Sequence, residues 1–383
     1  MSRILVFSPV PTHPQTAGHR ARIAATTRYL REMGNQVGFV YLRGMNQGSD
    51  EDLESMQADF GPSLFVPSFE ERYNGIARGG SPPFKGVDDW YDDRLSVFLK
   101  EVCCDWRPDV LWVNYVALSK IFEDYPGKCL RVLDTHDVFS ERKRTLERFG
   151  LSAGDWYEFE SGEEIKAIQR AHITLAITWE DAAALRRLGA SRVFTLGHLG
   201  DAKSLLASAN KCPTILYFAS GGSVNALTLQ RLCQEVFPQV LAGIANARLL
   251  VAGKVCKTSD TLTHHSSLEL LGPVTCLTSV LERAGAVCNP EIAGSGISIK
   301  NLTTLSCGVP LVTTPAGARG LRTGYDQGVL VAEDTEGLAA QLVRVLTDNL
   351  LNAQLRKAGQ QNARRYFAAQ QRRLARLQSI FPQ

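Results

Sequence analysis

The sequence predicts an α/β protein built from two doubly wound, Rossmann-like domains. Three observations carry this prediction. The length of 383 residues exceeds what one hydrophobic core usually supports. Short apolar runs alternate with helical periods, and these runs fall into two series along the chain. Continuously apolar strands that alternate with helices are typical of parallel sheets covered on both faces. We therefore expect each half to bury its own core.

Turn residues follow each apolar run and precede the next helical period. The first series comprises residues 3–9, 37–42, 109–114, 129–135, 173–178 and 192–197. The second series comprises residues 214–220, 247–253, 284–290, 309–314 and 328–334. The pause at 197–211, rich in small and polar residues, predicts the linker, and hence domains at 1–200 and 201–383.

Two segments depart from the alternation. Between about 43 and 95 the regularity fails and Gly and Pro recur, so we expect an irregular insertion there. Tyr73, Trp90 and Tyr91 in this insertion either shape a ligand pocket or belong to an ordinary packed loop. The helical periodicity of residues 351–380 predicts a terminal helix that packs back on the N-terminal domain.

Composition excludes several classes of protein. Hydrophobic residues make up 44% and charged residues 21%, which is the usual globular mixture. The net charge of +3 and the lack of a Lys/Arg run argue against a nucleic-acid partner. No apolar window is long enough for a membrane span or an export signal, so we expect a cytoplasmic protein. The nine cysteines are then expected to be reduced thiols, and no C-x-x-C pair points to zinc.

Ligand sites are expected where strands end, because open parallel sheets bind ligands outside the carboxyl ends of their strands. Two such domains facing each other would share one cleft. After the first strand, Gly18 precedes a helix whose N-terminus could hold a phosphate, with Arg20 and Arg22 nearby. The alternative is a glycine that only serves the turn.

A second candidate cluster follows the strand at 129–135, where the sequence reads DTHD. We expect Asp134, His136 and Asp137 to be the catalytic cluster, with His136 hydrogen-bonded to a ligand hydroxyl. A structural histidine is the alternative. Asp134 and Asp137 lack the D-x-D spacing of a carboxylate pair that chelates a divalent ion, so we expect no metal requirement.

The second half carries the clearest anion site. Gly294 and Gly296 open a helix that carries Lys300, and such a turn presents backbone N–H groups to an anion. A second glycine turn, at Gly221 and Gly222, starts another helix at the same edge. A diphosphate is the natural ligand for this arrangement.

The segment NPEIAGSGISIKNLTTLSCGVPLVTTPAGARGL resembles retaining GT-B glycosyltransferases of the sucrose synthase and bacterial polysaccharide type. YFASGGSVNALTLQRLCQEVFPQVLAGIANARLLVAG is similar to the same family, so the second half is covered almost throughout. In the first half the resemblance rests on AGHR, RPDVLWVN, DTHD and EEIKAIQRAHITLAITWEDAAALRRLG.

The resemblance implies a GT-B fold and transfer of a sugar, with retention, from a nucleotide-sugar donor to a glycan or lipid-linked acceptor. It implies that Gly18 lies by the donor phosphate or the acceptor and that His136 contacts the transferred sugar. It assigns the diphosphate to Lys300 and the turn of Ser295, Gly296 and Ile297. No cofactor is implied beyond the donor itself. Relatives work at the inner membrane, so contact of basic residues with the membrane surface is one possibility. A basic face that contacts only solvent is the alternative.

The sequence also departs from the family. The two glutamates that many relatives carry, the second of which binds the ribose, are replaced by Ser295 and Thr303. Glu291 stands four positions before the first of them. No Lys or Arg follows the turn at Gly221 and Gly222, so neutralisation of the diphosphate is expected to depend on Lys300 and Arg319.

The residues leave three alternative functions to consider. The missing glutamate at position 303 allows a catalytically degenerate GT-B protein that binds a partner or a glycan. A GT-B epimerase or phosphorylase would share the fold, but nothing in the sequence supports either. A Rossmann oxidoreductase would need a compact G-x-G-x-x-G turn after the first strand, and the sequence there reads SPVPTHPQTAG.

Overall fold

The computed structural model describes residues 1–15, 17–43, 49–67, 86–151, 159–201, 213–261, 266–293 and 296–382. The chain divides into two compact units. Unit 1 comprises Met1–Leu199 and Gln370–Gln383, and unit 2 comprises Gly200–Ala369.

Unit 1 contains a parallel sheet of seven strands within the described residues. The strands are β1 (Arg3–Ser8), β2 (Gln36–Tyr41), β3 (Leu64–Phe65), β4 (Val110–Asn114), β5 (Leu130–Asp134), β6 (Ile173–Ala176) and β7 (Val193–Thr195). Their spatial order is β3-β2-β1-β4-β5-β6-β7. The helices of this unit are α1 (Gly18–Glu32), α2 (Asp50–Phe60), α3 (Leu95–Trp106), α4 (Ile121–Asp124), α5 (Phe139–Glu147), α6 (Ser161–Gln169) and α7 (Trp179–Arg187).

Unit 2 contains a six-stranded parallel sheet, again counted over the described residues. The strands are β8 (Thr214–Phe218), β9 (Arg248–Ala252), β10 (Leu268–Gly272), β11 (Ala286–Asn289), β12 (Leu311–Thr313) and β13 (Val329–Val331), in the order β10-β9-β8-β11-β12-β13. The helices are α8 (Ser223–Arg231), α9 (Phe237–Gly243), α10 (Leu277–Glu282), α11 (Ile299–Ser306), α12 (Thr335–Thr347) and α13 (Asn349–Gln378). The last residues of α13 belong to unit 1.

Both sheets reverse their strand order at one point, between β1 and β4 in unit 1 and between β8 and β11 in unit 2. Ligands of doubly wound sheets bind outside the carboxyl ends of the strands at this switch point. The strand ends that matter for function are therefore Ser8, Asn114, Phe218 and Asn289.

The buried strands explain why the sheets form. In unit 1, Val110–Asn114 is buried along its whole length, and Thr214–Phe218 is buried likewise in unit 2. Each sheet packs its own apolar cluster, one around residues such as Phe7 and Trp112, the other around residues such as Tyr217 and Val251. The two α/β sheets of Rossmann type agree with the fold class that the sequence predicts.

The described part of the insertion, residues 49–67 and 86–95, contains regular elements that the sequence analysis did not expect. α2 lies inside it, and Ser49 with Asp52 forms a capping box at its start. The buried residues of α2 are Asp52, Met56 and Phe60, which recur every four residues. The sequence analysis did not recognise this spacing as helical. β3 extends the sheet by pairing with β2. Trp90 and Tyr91 are buried in the core of unit 1, so they pack rather than line a pocket, whereas Tyr73 lies outside the described residues.

Candidate nucleotide-sugar site and the histidine loop

Lys300, in the first turn of α11, is the central cation of unit 2. Its ammonium nitrogen lies 3.2 Å from Oδ1 of Asn225 and 5.0 Å from the centre of the Tyr217 ring. Burial lowers the pKa of Lys300, and Glu291 acts in the opposite direction. Lys300 forms no ion pair among the described residues. A partly buried ammonium with only neutral ligands is suited to an anion.

Asn225 and Tyr217 hold this cation through a small network. The Asn225 side chain donates to the carbonyl oxygen of Ser220 at 3.1 Å, so its Oδ1 faces Lys300. The hydroxyl of Tyr217 donates to the backbone oxygen of Asn225 at 3.2 Å. Because one strand end and one helix start fix these groups, Lys300 is held at the switch point of the sheet.

The N-terminus of α8 lies beside Lys300, since Asn225 is in its first turn. Gly222 precedes α8 with a φ of 120°, a conformation that strongly favours glycine, and no side chain caps the helix. The first N–H groups of a helix have no partner within it and carry the positive end of the dipole. The turn of Gly221 and Gly222 thus adds backbone donors to the Lys300 charge.

The start of α11 is the second half of the predicted turn. Gly296 has a φ of 65°, and Ile297 packs against a second apolar cluster of unit 2, which includes Leu216 and Leu302. Ser298 precedes the helix without capping it, and its buried Oγ has no hydrogen-bond partner within the described chain. Gly294 and Ser295, which the sequence analysis also assigned to this turn, lie outside the described residues.

The residues that replace the family glutamates have definite contacts. The hydroxyl of Thr303 donates to the carbonyl oxygen of Ile299 at 3.0 Å, which leaves its oxygen as an acceptor only. The carboxylate of Glu291 accepts a hydrogen bond from Asn289 at 3.2 Å. The charge of Glu291 opposes the lowering of the Lys300 pKa by burial and adds to the raising of the Tyr217 pKa by burial, so it acts on both groups.

The loop that carries Arg319 is tied to α11. Asn301 donates to the carbonyl oxygen of Gly317 at 2.8 Å. A Cβ atom at Gly317 would lie 2.2 Å from Oγ1 of Thr313, so only glycine fits at this close approach. Arg319 therefore follows a loop whose backbone is fixed against the helix that carries Lys300.

In unit 1 the histidine loop, residues 134–138, follows β5. His136 has a φ of 61°, and its ring stacks on Tyr115 with centroids 4.1 Å apart. Tyr115 itself has a φ of 73°. Two non-glycine residues with positive φ in direct contact store strain of roughly 1–3 kcal/mol each, and such strain is found at functional sites.

Nε2 of His136 lies 2.8 Å from Oδ1 of Asn114, the last residue of β4. Burial lowers the pKa of His136 to about 3, while Asp134 acts in the opposite direction. His136 is therefore neutral at pH 7, and it is only partly buried. It is suited to hydrogen bonding rather than to charge.

The two aspartates predicted to be catalytic beside His136 have protein partners. Both oxygens of Asp134 accept from Nη2 of Arg22, at 3.0 and 2.9 Å, and both side chains are buried. Asp137 accepts from the backbone N–H of Val138 at 2.8 Å and pairs with Arg142 at 3.0 Å. These contacts fix the loop.

A buried glutamate completes the loop. Glu164 of α6 accepts the N–H groups of Phe139 and Ser140, at 2.8 and 2.9 Å, which are the first two residues of α5. Burial raises the pKa of Glu164, and these hydrogen bonds oppose that rise. Glu164 thus caps the helix that follows the histidine loop.

The predicted phosphate site at Gly18 differs from the expectation in the partners of its two arginines. Gly18 begins α1, whose first turn has no acidic residue and no side-chain cap. Arg20, however, is paired with Asp52 of α2 through two hydrogen bonds of 3.0 and 3.1 Å. Burial would raise the pKa of Asp52, but the Arg20 and Ser49 hydrogen bonds lower it overall. Arg20 and Arg22 are thus both engaged with carboxylates of unit 1.

Sequence reasoning missed four residues of these two sites, namely Asn225, Tyr217, Asn114 and Tyr115. Tyr217, Asn114 and Tyr115 stand at or next to the carboxyl end of a strand beside a switch point, and Asn225 lies in the first turn of the helix that follows such a strand. That position is the signal that could have found them. Among the described residues, no three His, Cys, Asp or Glu side chains are grouped to hold a metal ion.

Comparison with known proteins agrees with the fold. Residues 212–348 match the model of the family described as glycosyl transferases group 1. No curated protein matches this chain in sequence.

Solved structures match along almost the whole chain. Sucrose-phosphate synthase from Thermosynechococcus elongatus superposes with a TM-score of 0.72 at 13% identity over 99% of this chain and 98% of that one. A variant of TarM from S. aureus, in complex with fondaparinux, alpha-GlcNAc-glycerol and UDP, gives 0.72 at 10% identity over 100% of both chains. Anabaena Alr3699/HepE in complex with UDP-glucose gives 0.67 at 13% identity over 99% of this chain and 100% of that one. Residues 212–348 are thus similar to the glycosyl transferases group 1 model, and the chain has the fold of GT-B glycosyltransferase structures.

Proposed function

We propose that this chain is a glycosyltransferase that binds a nucleoside diphosphate sugar in unit 2 and transfers the sugar to a hydroxyl of a glycan or lipid-linked acceptor. The observation that carries the proposal is Lys300. Among the described residues its ammonium contacts only neutral groups, Asn225 and the Tyr217 ring, at the N-terminus of α8.

The electrostatics favour a diphosphate over a neutral ligand. A buried cation without a carboxylate partner is costly in the empty protein, and an anion offsets this cost when it binds. The N-terminus of α8 adds partial positive charge at the same place. The unpartnered Oγ of Ser298 is a further hydrogen-bonding group at the start of α11.

Structurally similar proteins support the ligand class. The HepE structures contain UDP with glucose, or UDP-glucose, and the TarM variant contains UDP. We propose UDP, GDP or ADP sugars as the donors of this chain. The Thr303 hydroxyl, whose proton is donated to the carbonyl oxygen of Ile299, replaces the ribose-binding glutamate with a weaker neutral acceptor.

The proposed reaction retains the configuration of the anomeric carbon. The bond from that carbon to the diphosphate oxygen breaks, and its electron pair leaves with the diphosphate. The acceptor oxygen then bonds to the anomeric carbon on the same face, and its proton passes to the departing phosphate oxygen. Lys300 and the α8 N-terminus stabilise the charge that develops on the diphosphate, while His136 binds a sugar hydroxyl.

We further propose that transfer needs neither a metal ion nor a cofactor, since protein cations and helix termini would neutralise the diphosphate. Activity in the presence of EDTA, compared with activity after added Mg²⁺ or Mn²⁺, tests this proposal. Equal rates support it. A loss of more than about tenfold that a divalent ion restores would contradict it.

Synthesis of a bacterial surface polysaccharide or glycoconjugate is the proposed role. Within the described chain, no helix combines the length and apolarity that crossing a bilayer requires. Arg372 and Arg376 are exposed near the end of α13, and we propose that they contact anionic lipid when the acceptor is lipid-linked. Flotation with phosphatidylglycerol vesicles, compared with neutral vesicles, tests this contact.

A thermal-shift screen against UDP, GDP, ADP and CMP and their sugars tests the main proposal, because a ligand that binds only the native state raises the Tm. We expect a shift with one nucleotide class that Lys300→Ala removes. Lys357→Ala is the matched control, since Lys357 is an exposed lysine of the same unit. No shift with any nucleotide in folded protein would reject the transferase proposal in favour of a degenerate binding protein.

A further inference from the structure

We infer that Asn114 is a positioning residue that fixes the tautomer of His136, so that Nδ1 of His136 is a bare hydrogen-bond acceptor for a sugar hydroxyl. The inference rests on the proposed function only for the nature of that hydroxyl. Its structural half stands on unit 1 alone.

The orientation of the Asn114 amide is the first step. Its Nδ2 donates to the carbonyl oxygen of Phe7 at 2.9 Å, and a carbonyl oxygen accepts but does not donate. Nδ2 must therefore face Phe7, and Oδ1 must face the other way. Phe7 belongs to β1 and Asn114 to its neighbour β4, so the sheet itself sets this orientation.

The histidine tautomer follows from that orientation. Oδ1 of Asn114 lies 2.8 Å from Nε2 of His136, and an amide oxygen can only accept. Nε2 must therefore carry the proton. In a neutral imidazole the other nitrogen, Nδ1, then has a free lone pair.

The surroundings keep the ring neutral and fixed. Burial lowers the pKa of His136, Asp134 opposes this, and the charge of Arg22 lowers it further. The Tyr115 ring covers one face of the imidazole at an interplanar angle of 14°. Rotation of the ring would break both the stacking and the hydrogen bond to Asn114.

Nδ1 of His136 has no hydrogen-bond partner among the described residues, and it is not one of their buried unsatisfied atoms. It therefore remains accessible in a partly exposed side chain at the carboxyl edge of the sheet. A hydrogen-bond acceptor at this place favours a hydrogen-bond donor such as a hydroxyl group. It disfavours a phosphate or carboxylate oxygen, which can only accept a hydrogen bond. A sugar hydroxyl fits that requirement.

The strained backbone supports a role beyond packing. His136 and Tyr115 both have positive φ, at 61° and 73°. Strain of this kind persists where the surrounding structure imposes it, and it is concentrated at ligand sites. The strain places the imidazole against Asn114 and leaves Nδ1 unpaired.

Long-range proton–nitrogen NMR on protein labelled with ¹⁵N-histidine tests the tautomer, with His136→Gln used to assign the signal. We expect a single Nε2–H tautomer in the wild type. Asn114→Ala should produce a mixture of tautomers, whereas Asn114→Asp, which keeps an acceptor, should keep Nε2 protonated. Asn35→Ala is the control, because Asn35 is a buried asparagine bonded to Leu30 and Ser2 at the opposite, amino ends of the strands, and it should change nothing at His136.

Titration with nucleotide and with nucleotide sugar then tests the ligand. The probes are UDP and UDP-glucose, or the matching pair if the thermal screen selects another base. We expect the Nδ1 signal of His136 to move with the nucleotide sugar but not with the nucleotide. Asn114→Ala should weaken binding of the sugar form by about tenfold and leave nucleotide binding within about twofold.

The outcomes separate the two proposals. An Nδ1–H tautomer in the wild type, or an unchanged tautomer in folded Asn114→Ala, overturns the inference even when transferase activity is present. A correct tautomer with a sugar-insensitive Nδ1 signal rejects the sugar contact. If no nucleotide binds, the sugar contact is rejected together with the proposed function, and the tautomer result still decides the role of Asn114.

Discussion

Nη2 of Arg22 lies 2.9 Å from Oδ2 of Asp134, and both side chains are almost completely buried. Arg22 also donates to the carbonyl oxygens of Leu196 and Gly197, at 3.0 and 2.7 Å. One guanidinium thus joins α1, the end of β5 and the segment after β7. This contact fixes the first residue of the histidine loop.

Breaking this pair should destabilise unit 1. Asp134→Ala leaves a buried, uncompensated guanidinium, which costs about 3–5 kcal/mol. We expect the double variant Arg22→Met with Asp134→Leu to be less destabilised than Asp134→Ala alone, because it removes both charges. Urea unfolding measures both. A loss below about 0.5 kcal/mol in Asp134→Ala would refute the structural role of the pair.

Lys300 should stabilise the complex and destabilise the empty protein. Lys300→Met keeps much of the side-chain volume but removes a charge whose pKa burial lowers. We expect the empty variant to gain on the order of 1 kcal/mol of stability and to lose the nucleotide-induced rise in Tm. A variant that is less stable when empty but still responds to nucleotide would contradict this assignment.

Thr303 offers a gain-of-function test of the ribose site. Thr303→Glu restores the charged acceptor that the resemblance places at this position, on a partly exposed residue of α11. A charged acceptor forms a stronger hydrogen bond with a ribose hydroxyl, so affinity should rise by about tenfold for the nucleotide and much less for inorganic diphosphate. Isothermal titration calorimetry measures both. An equal change for the two ligands would argue against ribose contact.

The stability of the protein should fall in mild acid because three of its histidines have lowered pKa values. Burial lowers the pKa of His136 and of His198 to about 3 and, with Arg20 and Arg142, that of His19 to about 4. These side chains are neutral when folded, but the unfolded chain binds protons below about pH 6.5. Stability is therefore full above that pH and is lost as the pH falls toward about 3–4.

Denaturant unfolding between about pH 4 and pH 7 measures this dependence. Each histidine contributes a slope of up to about 1.4 kcal/mol per pH unit. His136→Gln and His198→Gln should each flatten the curve relative to the wild type. Identical slopes in all three proteins would show that these histidines become protonated without unfolding.

Much of the fold was predictable because its signals are local. Apolar runs bounded by turn residues predicted β1, β4, β8 and β11, and the glycine turns predicted the starts of α8 and α11. The same reasoning missed β10, an edge strand whose residues are only partly buried and whose pattern is therefore weak. It also missed α2, because the apolar stripe of that helix consists of only Leu53, Met56 and Phe60 in an otherwise polar segment.

The sequence by itself determined the order of strands and helices, the glycine turns and the position of Lys300 after them. The reason is that the hydrophobic period and the turn residues are properties of neighbouring positions in the chain. The tertiary structure alone decided the partners of each charge. Arg22 meets Asp134 across 112 positions and Lys300 meets Asn225 across 75. Such pairs form because strands distant in the sequence lie side by side. As a result, the carboxylates of the protein pair with Arg20 and Arg22, which were predicted to bind phosphate. Lys300, in contrast, is held by neutral groups.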